Sequence, residues 1–228
     1  MKATIPTALF AFLSTTIVLS HQARAASPTD YIKEVVADCE NLDGDQISWK
    51  GGENDSTCTV ESGIGFNNSK GLHLKPLRAG NLGIKSEAMV GQPPLDVSLA
   101  DGYMFWVKAN EAGLFTLEFR TDGPEKQRFL LGGGVLAMDT AGNLLDPKEY
   151  LFVPRVKGNA AGIKLPTDFE GWIIIPSTVS TDGQNTGWIC ANPEASGQPI
   201  PPVKGFYFVV DGKGDFYLDH FSLYKAKH

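Results

Sequence analysis

The amino-acid sequence predicts an all-β fold, an antiparallel β-sandwich with one short helix near its N-terminus. The first observation is that apolar and polar residues alternate with a period of two over most of the chain, which is typical of strands. The second is that turn-forming Gly, Asn, Asp and Pro residues separate these segments, and many strands with almost no helix imply two packed sheets. The predicted strands are Gln46–Lys50, Thr57–Glu61, Gly71–Lys75, Tyr103–Ala109, Gly113–Thr121, Gln127–Leu131, Tyr150–Val153, Trp172–Ile175, Val203–Val210 and Asp215–Tyr224.

The first 25 residues have the features of a secretory signal peptide. Lys2 precedes an apolar run from Ala8 to Leu19, and Ala23-Arg24-Ala25 supplies the small residues that a signal peptidase needs. We expect cleavage after Ala25, with no transmembrane anchor in the remainder, residues 26–228, which is predicted to form a single domain. The protein is therefore expected to be secreted and extracellular, or periplasmic in a bacterial host.

The charge balance argues against nucleic acid as a partner. Removing Lys2 and Arg24 with the leader takes the formal net charge from −6 to −8. The chain has no stripe of Lys and Arg residues that could neutralise phosphates.

The helix is expected at the start of the mature chain, within residues 28–37. Ser27 is a common N-cap residue, Pro28 suits the first helical turn, and Asp30 is placed as the acid of a capping box. These signals predict a short helix that runs through Val36.

Three cysteines follow the predicted cleavage site, and an oxidising compartment favours pairing two of them. Cys39 and Cys58 are the nearest couple in the sequence and are the predicted disulfide. A bridge from Cys190 to either of them is the alternative. Cys190 precedes a Pro-rich stretch, residues 193–202, which is read as a long loop inside the domain.

The last predicted strand places a carboxylate among apolar residues. At period two, Asp219 shares a face with Tyr217, Phe221 and Leu223. A buried carboxylate is costly unless it is paired, hydrogen-bonded or bound to a metal. Asp219 is therefore either an exposed acid at a strand edge or a residue with a hydrogen-bonding or ion-binding role.

Four segments, taken in order, resemble a known family. They are Asp38-Cys39-Glu40 before the strand that carries Trp49, Gly71–Lys75 after a polar loop, Gly102–Ala109, and Gly171–Pro176 before the closing Phe216–Tyr224 segment. In this order and spacing they resemble the jelly-roll carbohydrate-binding modules of the galactose-binding-like superfamily. The resemblance extends over residues 38–225.

The resemblance implies a module that binds a poly- or oligosaccharide without cleaving it and carries a structural Ca²⁺. Glu40 and Asp219 stand at positions similar to those of acids that bind the ion in such modules, and carboxylate oxygens suit Ca²⁺. The chain departs from the family pattern at Cys39, where an aromatic residue is more usual, and at His220, where a second acid often lies.

Candidate sugar-binding residues were sought among aromatic and planar polar side chains, which bind the faces and hydroxyls of sugars. Trp106 and Trp172 lie within apolar strands and are expected to be core residues. The candidates are Trp188 and Trp49 next to turn residues, the weaker candidates Tyr103 and Tyr207, and Glu118 and Arg120 on the outward face of their strand. That outward face is either a solvated surface or the floor of a ligand groove.

Two other functions remain open. A jelly-roll polysaccharide lyase or glycoside hydrolase is possible, although no compact constellation of acids and none of the common nucleophile or zinc motifs occurs. His73 and His220 are the internal histidines of the mature chain, and a lone strand histidine is more often structural. A secreted sandwich that binds another protein is the second alternative.

Overall fold

The computed structural model describes residues 31–41, 47–50, 57–75, 82–88, 100–111, 113–121, 128–153, 162–180, 185–190, 203–211 and 215–226. The predicted signal peptide, the start of the predicted helix at 28–30 and the Pro-rich loop lie outside the described residues. Within the described ranges, no helix has the length and apolar character needed to cross a membrane.

Sixteen strands and one short 3-10 turn, Phe66–Asn68, make up the regular structure of the described residues. The strands are β1 Tyr31–Ala37, β2 Ile47–Lys50, β3 Thr57–Ser62, β4 Lys70–Lys75, β5 Leu82–Ala88, β6 Gly102–Glu111, β7 Gly113–Thr121, β8 Arg128–Leu131, β9 Leu136–Asp139, β10 Leu151–Val153, β11 Gly162–Leu165, β12 Glu170–Pro176, β13 Val179–Ser180, β14 Trp188–Cys190, β15 Val203–Asp211 and β16 Asp215–Ala226. All ten predicted strands are confirmed. The sequence pattern does not indicate β1, β5, β9, β11, β13 or β14.

The strands form two sheets. Sheet I has the order β3-β4-β16-β6-β12-β9, and β1 also pairs with β16. Sheet II has the order β13-β14-β8-β7-β15-β5-β2, with β11 paired to β7 and β10 to β11. The described pairs are antiparallel apart from β13 with β14. The predicted all-β antiparallel sandwich is confirmed.

The predicted N-terminal helix is wrong for residues 31–37, which form β1. This segment pairs with the last strand from Tyr31 opposite Ala226 to Ala37 opposite Phe221. Its sequence contains the β-branched residues Ile32, Val35 and Val36, which favour a pleated surface. Short isolated helices are marginal in water, so pairing along β16 outweighs the local capping signals.

The main core lies between the two sheets. Sheet I contributes Leu72, Leu74, Tyr103, Phe105, Val107, Ile173, Phe216 and Leu218, and sheet II contributes Phe129, Leu131, Ile163, Leu165 and Trp188. The Tyr103 and Trp188 rings meet edge to face across the layers, with centroids 5.6 Å apart. A second buried cluster covers the opposite side of sheet I and contains Met104, Trp106, Met138, Trp172, Ile174 and Tyr224. Trp106 and Trp172 are thus buried, as predicted, but on the outer side of sheet I.

A β-bulge in β16 changes the face on which its residues lie. Asp219 pairs with Trp106 and Ser222 with Met104, so one extra residue of β16 is inserted there, and His220 adopts a left-handed φ of 48°. Leu218 and Phe221 therefore both point into the core between the sheets. The prediction that Asp219 shares a face with Phe221 and Leu223 is wrong, because the bulge breaks the period of two.

Candidate functional site

A row of polar and aromatic side chains crosses the outer face of sheet I. The strand register places Thr59 opposite His73, His73 opposite Tyr217, Tyr217 opposite Lys108, and Lys108 opposite Glu170. Their strand neighbours point into the core, so these five residues face outward. Five adjacent strands span about 19 Å at the usual strand spacing. We call this set the cross-strand row.

His73 is held between two carboxylates at one end of the row. Its Nδ1 lies 2.8 Å from Glu61 Oε1, and its Nε2 lies 2.8 Å from Asp215 Oδ1. Both ring nitrogens can donate hydrogen bonds only in the imidazolium form. The imidazole edge also meets the Tyr217 ring, with centroids 4.8 Å apart and planes at 77°. The two carboxylates therefore fix the ring against which Tyr217 packs.

The same contacts set the acidity of the two carboxyl groups. The hydrogen bond with His73 is the main reason why the pKa of Glu61 lies below its ordinary value. Burial by itself raises the pKa of Asp215, but hydrogen bonds from His73 and Asn110, with further help from Lys75, outweigh it and hold that pKa below the ordinary value. Lys75 Nζ and Asn110 Nδ2 each lie 3.3 Å from an Asp215 oxygen. Both acids are therefore stabilised as carboxylates.

A cleft opens beside the other end of the row and has a volume of about 450 Å³. One wall is the segment Gly63–Asn68, and Trp106, Lys108, Thr140 and Glu170 line the rest. We call residues 63–69 the cleft loop. Lys108 Nζ lies 3.3 Å from Glu170 Oε2, so the two charges in the cleft balance each other.

Trp106 is the buried aromatic residue of the cleft. It is 1% exposed, and its indole N–H has no hydrogen-bond partner among the described residues. A buried donor without an acceptor costs about 1–3 kcal/mol. The nitrogen is closed off from solvent, so a ligand oxygen in the cleft reaches it only when the atoms that cover it shift.

The cleft loop is attached to the sheet through Asp219 and Phe66. Asp219 Oδ2 accepts hydrogen bonds from the Phe66 N–H at 2.8 Å and from the Ser69 hydroxyl at 2.7 Å. Asp219 Oδ1 accepts a third from the His220 N–H at 2.7 Å. Burial raises the pKa of Asp219, and these hydrogen bonds offset only part of that rise. The Phe66 ring packs edge-on against Trp172, with centroids 5.0 Å apart.

These contacts bear on the predicted calcium site. Three N–H or O–H donors point at the Asp219 oxygens, and Glu40 Oε1 accepts from the Lys70 N–H at 3.2 Å. Ca²⁺ needs six to eight oxygen ligands that face the ion, so a carboxylate surrounded by hydrogen donors does not fit it. In the described part of the chain, no group of three or more His, Cys, Asp or Glu residues could hold a metal. Calcium binding by Glu40 and Asp219 stays a prediction.

Trp188 is not the exposed platform that the sequence suggests. It forms β14 with Ile189 and Cys190, is 0% exposed, and packs between the sheets against Tyr103. Its strand pairs with β8, and Trp188 itself lies opposite Leu131. Trp188 is therefore buried in a strand of sheet II, although the turn residues around it predict a surface loop. Tyr103, the weaker candidate, is buried beside it.

The other predicted ligand-binding residues belong to sheet II. Glu118 and Arg120 lie in β7, Tyr207 in β15 and Trp49 in β2. The register places Glu118 directly opposite Tyr207, so two of the four are brought together. Their side chains lie outside the described part of the structure.

The predicted Cys39–Cys58 disulfide is not formed in the structure, where both residues are free thiols. Burial is the main reason why the pKa of Cys39 lies well above its usual value, and the nearby Asp219 and Cys58 add to the shift. Burial raises the pKa of Cys58 to about 12. The Cys190 side chain lies outside the described residues.

Sequence reasoning missed the polar members of the site on sheet I. The signal was available in the alternation of three strands, because His73, Lys108 and Tyr217 occupy the positions between core residues. What the alternation cannot show is which strands become neighbours. That information comes only from the sheet order, which places the last strand between β4 and β6.

No protein-family model and no curated protein matches the sequence. Among solved structures, the chain is similar to the family 11 carbohydrate-binding module of the cellulosomal cellulase Lic26A-Cel5E of Clostridium thermocellum, with 10% identity and a TM-score of 0.49 over 84% of this chain and 94% of that one. It is also similar to the family 30 carbohydrate-binding module of the cellulosomal cellulase Cel9D-Cel44B of Clostridium thermocellum (12% identity, TM-score 0.45, 86% and 98% covered). A third is the CBM22-2 xylan-binding domain from Paenibacillus barcinonensis Xyn10C (15% identity, TM-score 0.32, 86% and 98% covered).

Proposed function

We propose that the protein is a secreted, non-catalytic carbohydrate-binding protein that holds a poly- or oligosaccharide in the cleft and along the cross-strand row. The observation that carries the proposal is the cleft itself, whose lining combines Trp106, which has a buried N–H without a partner among the described residues, with the balanced Lys108–Glu170 pair. Sugar hydroxyls are both donors and acceptors, so they can satisfy an indole N–H, an ammonium group and a carboxylate together.

The charges of this face favour a neutral glycan. Lys108 is paired with Glu170, and Lys75 with Asp215, while Glu61 and Asp215 also flank His73. A uronic acid would bring a further carboxylate close to Glu61, Asp215 and Glu170, while Lys75 and Lys108 are already paired. Repulsion between like charges therefore disfavours an acidic polysaccharide.

The proposal is tested by affinity electrophoresis of the mature chain in gels that contain neutral or acidic polysaccharides. We expect at least one neutral polysaccharide to retard the protein, and Lys108→Ala and Glu170→Gln to reduce the retardation. Lys164→Ala and Glu149→Gln are the matched controls, because both residues are exposed and lie away from the cleft. Retardation that the cleft variants leave unchanged would place the ligand elsewhere, for instance on sheet II.

A polysaccharide lyase is the second candidate, because His73 and Tyr217 lie side by side on the exposed face. Such an enzyme needs a base with a free nitrogen or oxygen to remove a proton from the sugar. Both His73 nitrogens already contact carboxylates, which argues against that role. Incubation with the polysaccharide that retards the protein should therefore release neither reducing ends nor unsaturated products. Release of either product would favour an enzyme, and the absence of both binding and activity would favour a protein-binding sandwich.

A further inference from the structure

Asp219 does not line the cleft, but it is hydrogen-bonded to the cleft loop. The residue is 1% exposed and lies in β16, and the cleft loop to which it is hydrogen-bonded is about 150 residues earlier in the chain. Its Oδ2 atom accepts one bond from the backbone of Phe66 and one from the side chain of Ser69, so it holds the loop at two points. Asp219 lies two residues after the outward-facing Tyr217, so its carboxylate is on the outer face, where the loop lies, and the bulge at His220 begins directly after it.

The cleft loop is itself tightly folded, so holding two of its points fixes the whole segment. The Ser69 carbonyl accepts hydrogen bonds from the Gly63 and Gly65 N–H groups, each at 3.0 Å. Asn67 and Asn68 adopt left-handed φ angles of 55° and 61°, a conformation that asparagine tolerates better than most residues. These bonds tie the ends of the loop together, so its position depends on its attachments to the sheet.

Gly65 leaves no room for a side chain between the loop and Asp219. A Cβ atom at this position would meet the Lys70 carbonyl oxygen at 2.2 Å, and Asp219 Oδ2 and Ser69 Oγ at 2.5 Å each. Real Cβ atoms do not approach other atoms so closely, so only glycine allows the loop to lie on the carboxylate. Gly65 therefore provides the space that Asp219 occupies, and Phe66 and Ser69 provide its hydrogen bonds.

We propose that Asp219 is the positioning residue of the cleft, and that it fixes the glycan-binding wall through Phe66 and Ser69 by hydrogen bonds alone, without a metal ion. The proposal rests on the proposed function, because positioning is measured here as glycan affinity. When the cleft loop is already ordered before the glycan binds, binding does not carry the entropy cost of ordering the loop.

The test compares Ser69→Ala and Asp219→Asn with the control Asp146→Asn, whose carboxylate accepts from the Lys148 N–H in an exposed turn away from the cleft. Affinity is measured for the neutral polysaccharide that retards the wild type most, with and without a chelator. Amide hydrogen exchange of Phe66 and Ser69 is measured without ligand. Ser69→Ala removes the hydrogen bond from the Ser69 hydroxyl and leaves the buried carboxylate unchanged. It therefore still tests the proposal if the Asp219→Asn variant does not fold.

We expect both variants to weaken glycan binding by about tenfold and to speed exchange at the Phe66 amide, because each removes or weakens a hydrogen bond to a charged group. Asp146→Asn and the chelator should leave both quantities unchanged. Unchanged affinity despite faster exchange would overturn the positioning role, and a chelator that reproduces the Asp219→Asn effect would overturn the metal-free mechanism in favour of Ca²⁺. If the wild type binds no glycan, the proposed function fails, and the exchange rates alone decide whether Asp219 holds the loop.

Discussion

Trp106 lines a surface cleft, yet it is buried, and its indole N–H has no hydrogen-bond partner among the described residues. Its ring belongs to the buried cluster on the outer side of sheet I, while its indole N–H has no acceptor among the described residues. Most buried polar groups in folded proteins have a partner, and each exception calls for an explanation. A ligand oxygen in the cleft is the explanation that the proposed function supplies.

Replacing Trp106 with phenylalanine removes the N–H group and keeps an aromatic ring. We expect glycan affinity to fall by about tenfold, since the ligand loses a hydrogen-bond donor, and stability to change little, because removal of the unpartnered buried donor offsets the loss of ring volume. Trp188→Phe is the matched control, because Trp188 is equally buried but lies between the sheets. It should lose stability through the smaller ring and no affinity. Calorimetric titration and denaturant unfolding measure the two effects, and equal affinities for the two variants would contradict the role given to Trp106.

At the level of elements, the pairing of β9 with β12 requires the two backbones to come close together at Gly171. A Cβ atom at Gly171 in β12 would meet the Met138 carbonyl oxygen of β9 at 2.1 Å. Gly171 pairs with Asp139, and Thr140, the next residue along the chain, lines the cleft. Contact between these two strands therefore sets one side of the cleft.

Gly171→Ala should push β9 away from β12 and lower the free energy of unfolding by about 2–4 kcal/mol, because the obstacle is backbone that cannot turn aside. Gly63→Ala is the control, since Gly63 has a φ of 78° but no atom within 4 Å of the added methyl group. The control should cost only about 1–2 kcal/mol, the usual cost of a left-handed conformation. Denaturant unfolding of both variants measures the difference, and a smaller loss for Gly171→Ala than for Gly63→Ala would refute the close approach.

At the scale of the whole molecule, stability should depend on pH through the carboxylates around His73. In the folded protein the pKa of Glu61 lies below its ordinary 4.5 and that of Asp215 below its ordinary 3.8. Each carboxylate therefore stabilises the fold at pH values above its ordinary pKa. This contribution is lost as the pH falls through the lower pKa of the folded state. Asp215→Asn should therefore be less stable than the wild type near neutral pH, and the difference should shrink below about pH 4. Denaturant unfolding at a series of pH values measures it. A difference that stays constant down to about pH 2 would show that the network does not depend on the charge of Asp215.

Much of the fold could be predicted from the sequence, and less of the site. The ten predicted strands were identifiable from their apolar patterns, whereas Gly187 and the polar residues before it are typical of a loop and conceal β14. Trp188 was misplaced for that reason. Asp219 was recognisable as an acid that needs partners, but the bulge that puts Phe221 and Leu223 on the opposite face leaves no mark in the pattern of apolar residues. The cross-strand row depends on which strands are neighbours, and that is a property of the folded chain alone.

The position of β16 also has a consequence for how the protein folds. This strand is late in the sequence, yet it occupies the middle of sheet I, between β6 on one side and β4 and β1 on the other. During synthesis the earlier strands leave the ribosome before the strand that joins them exists, so sheet I closes only through contacts of long sequence separation, which form slowly. The cleft loop acquires its attachment to Asp219 in the same step. Glycan binding should therefore appear in refolding experiments together with the final cooperative phase, which would make the ligand a reporter of a fully assembled sheet.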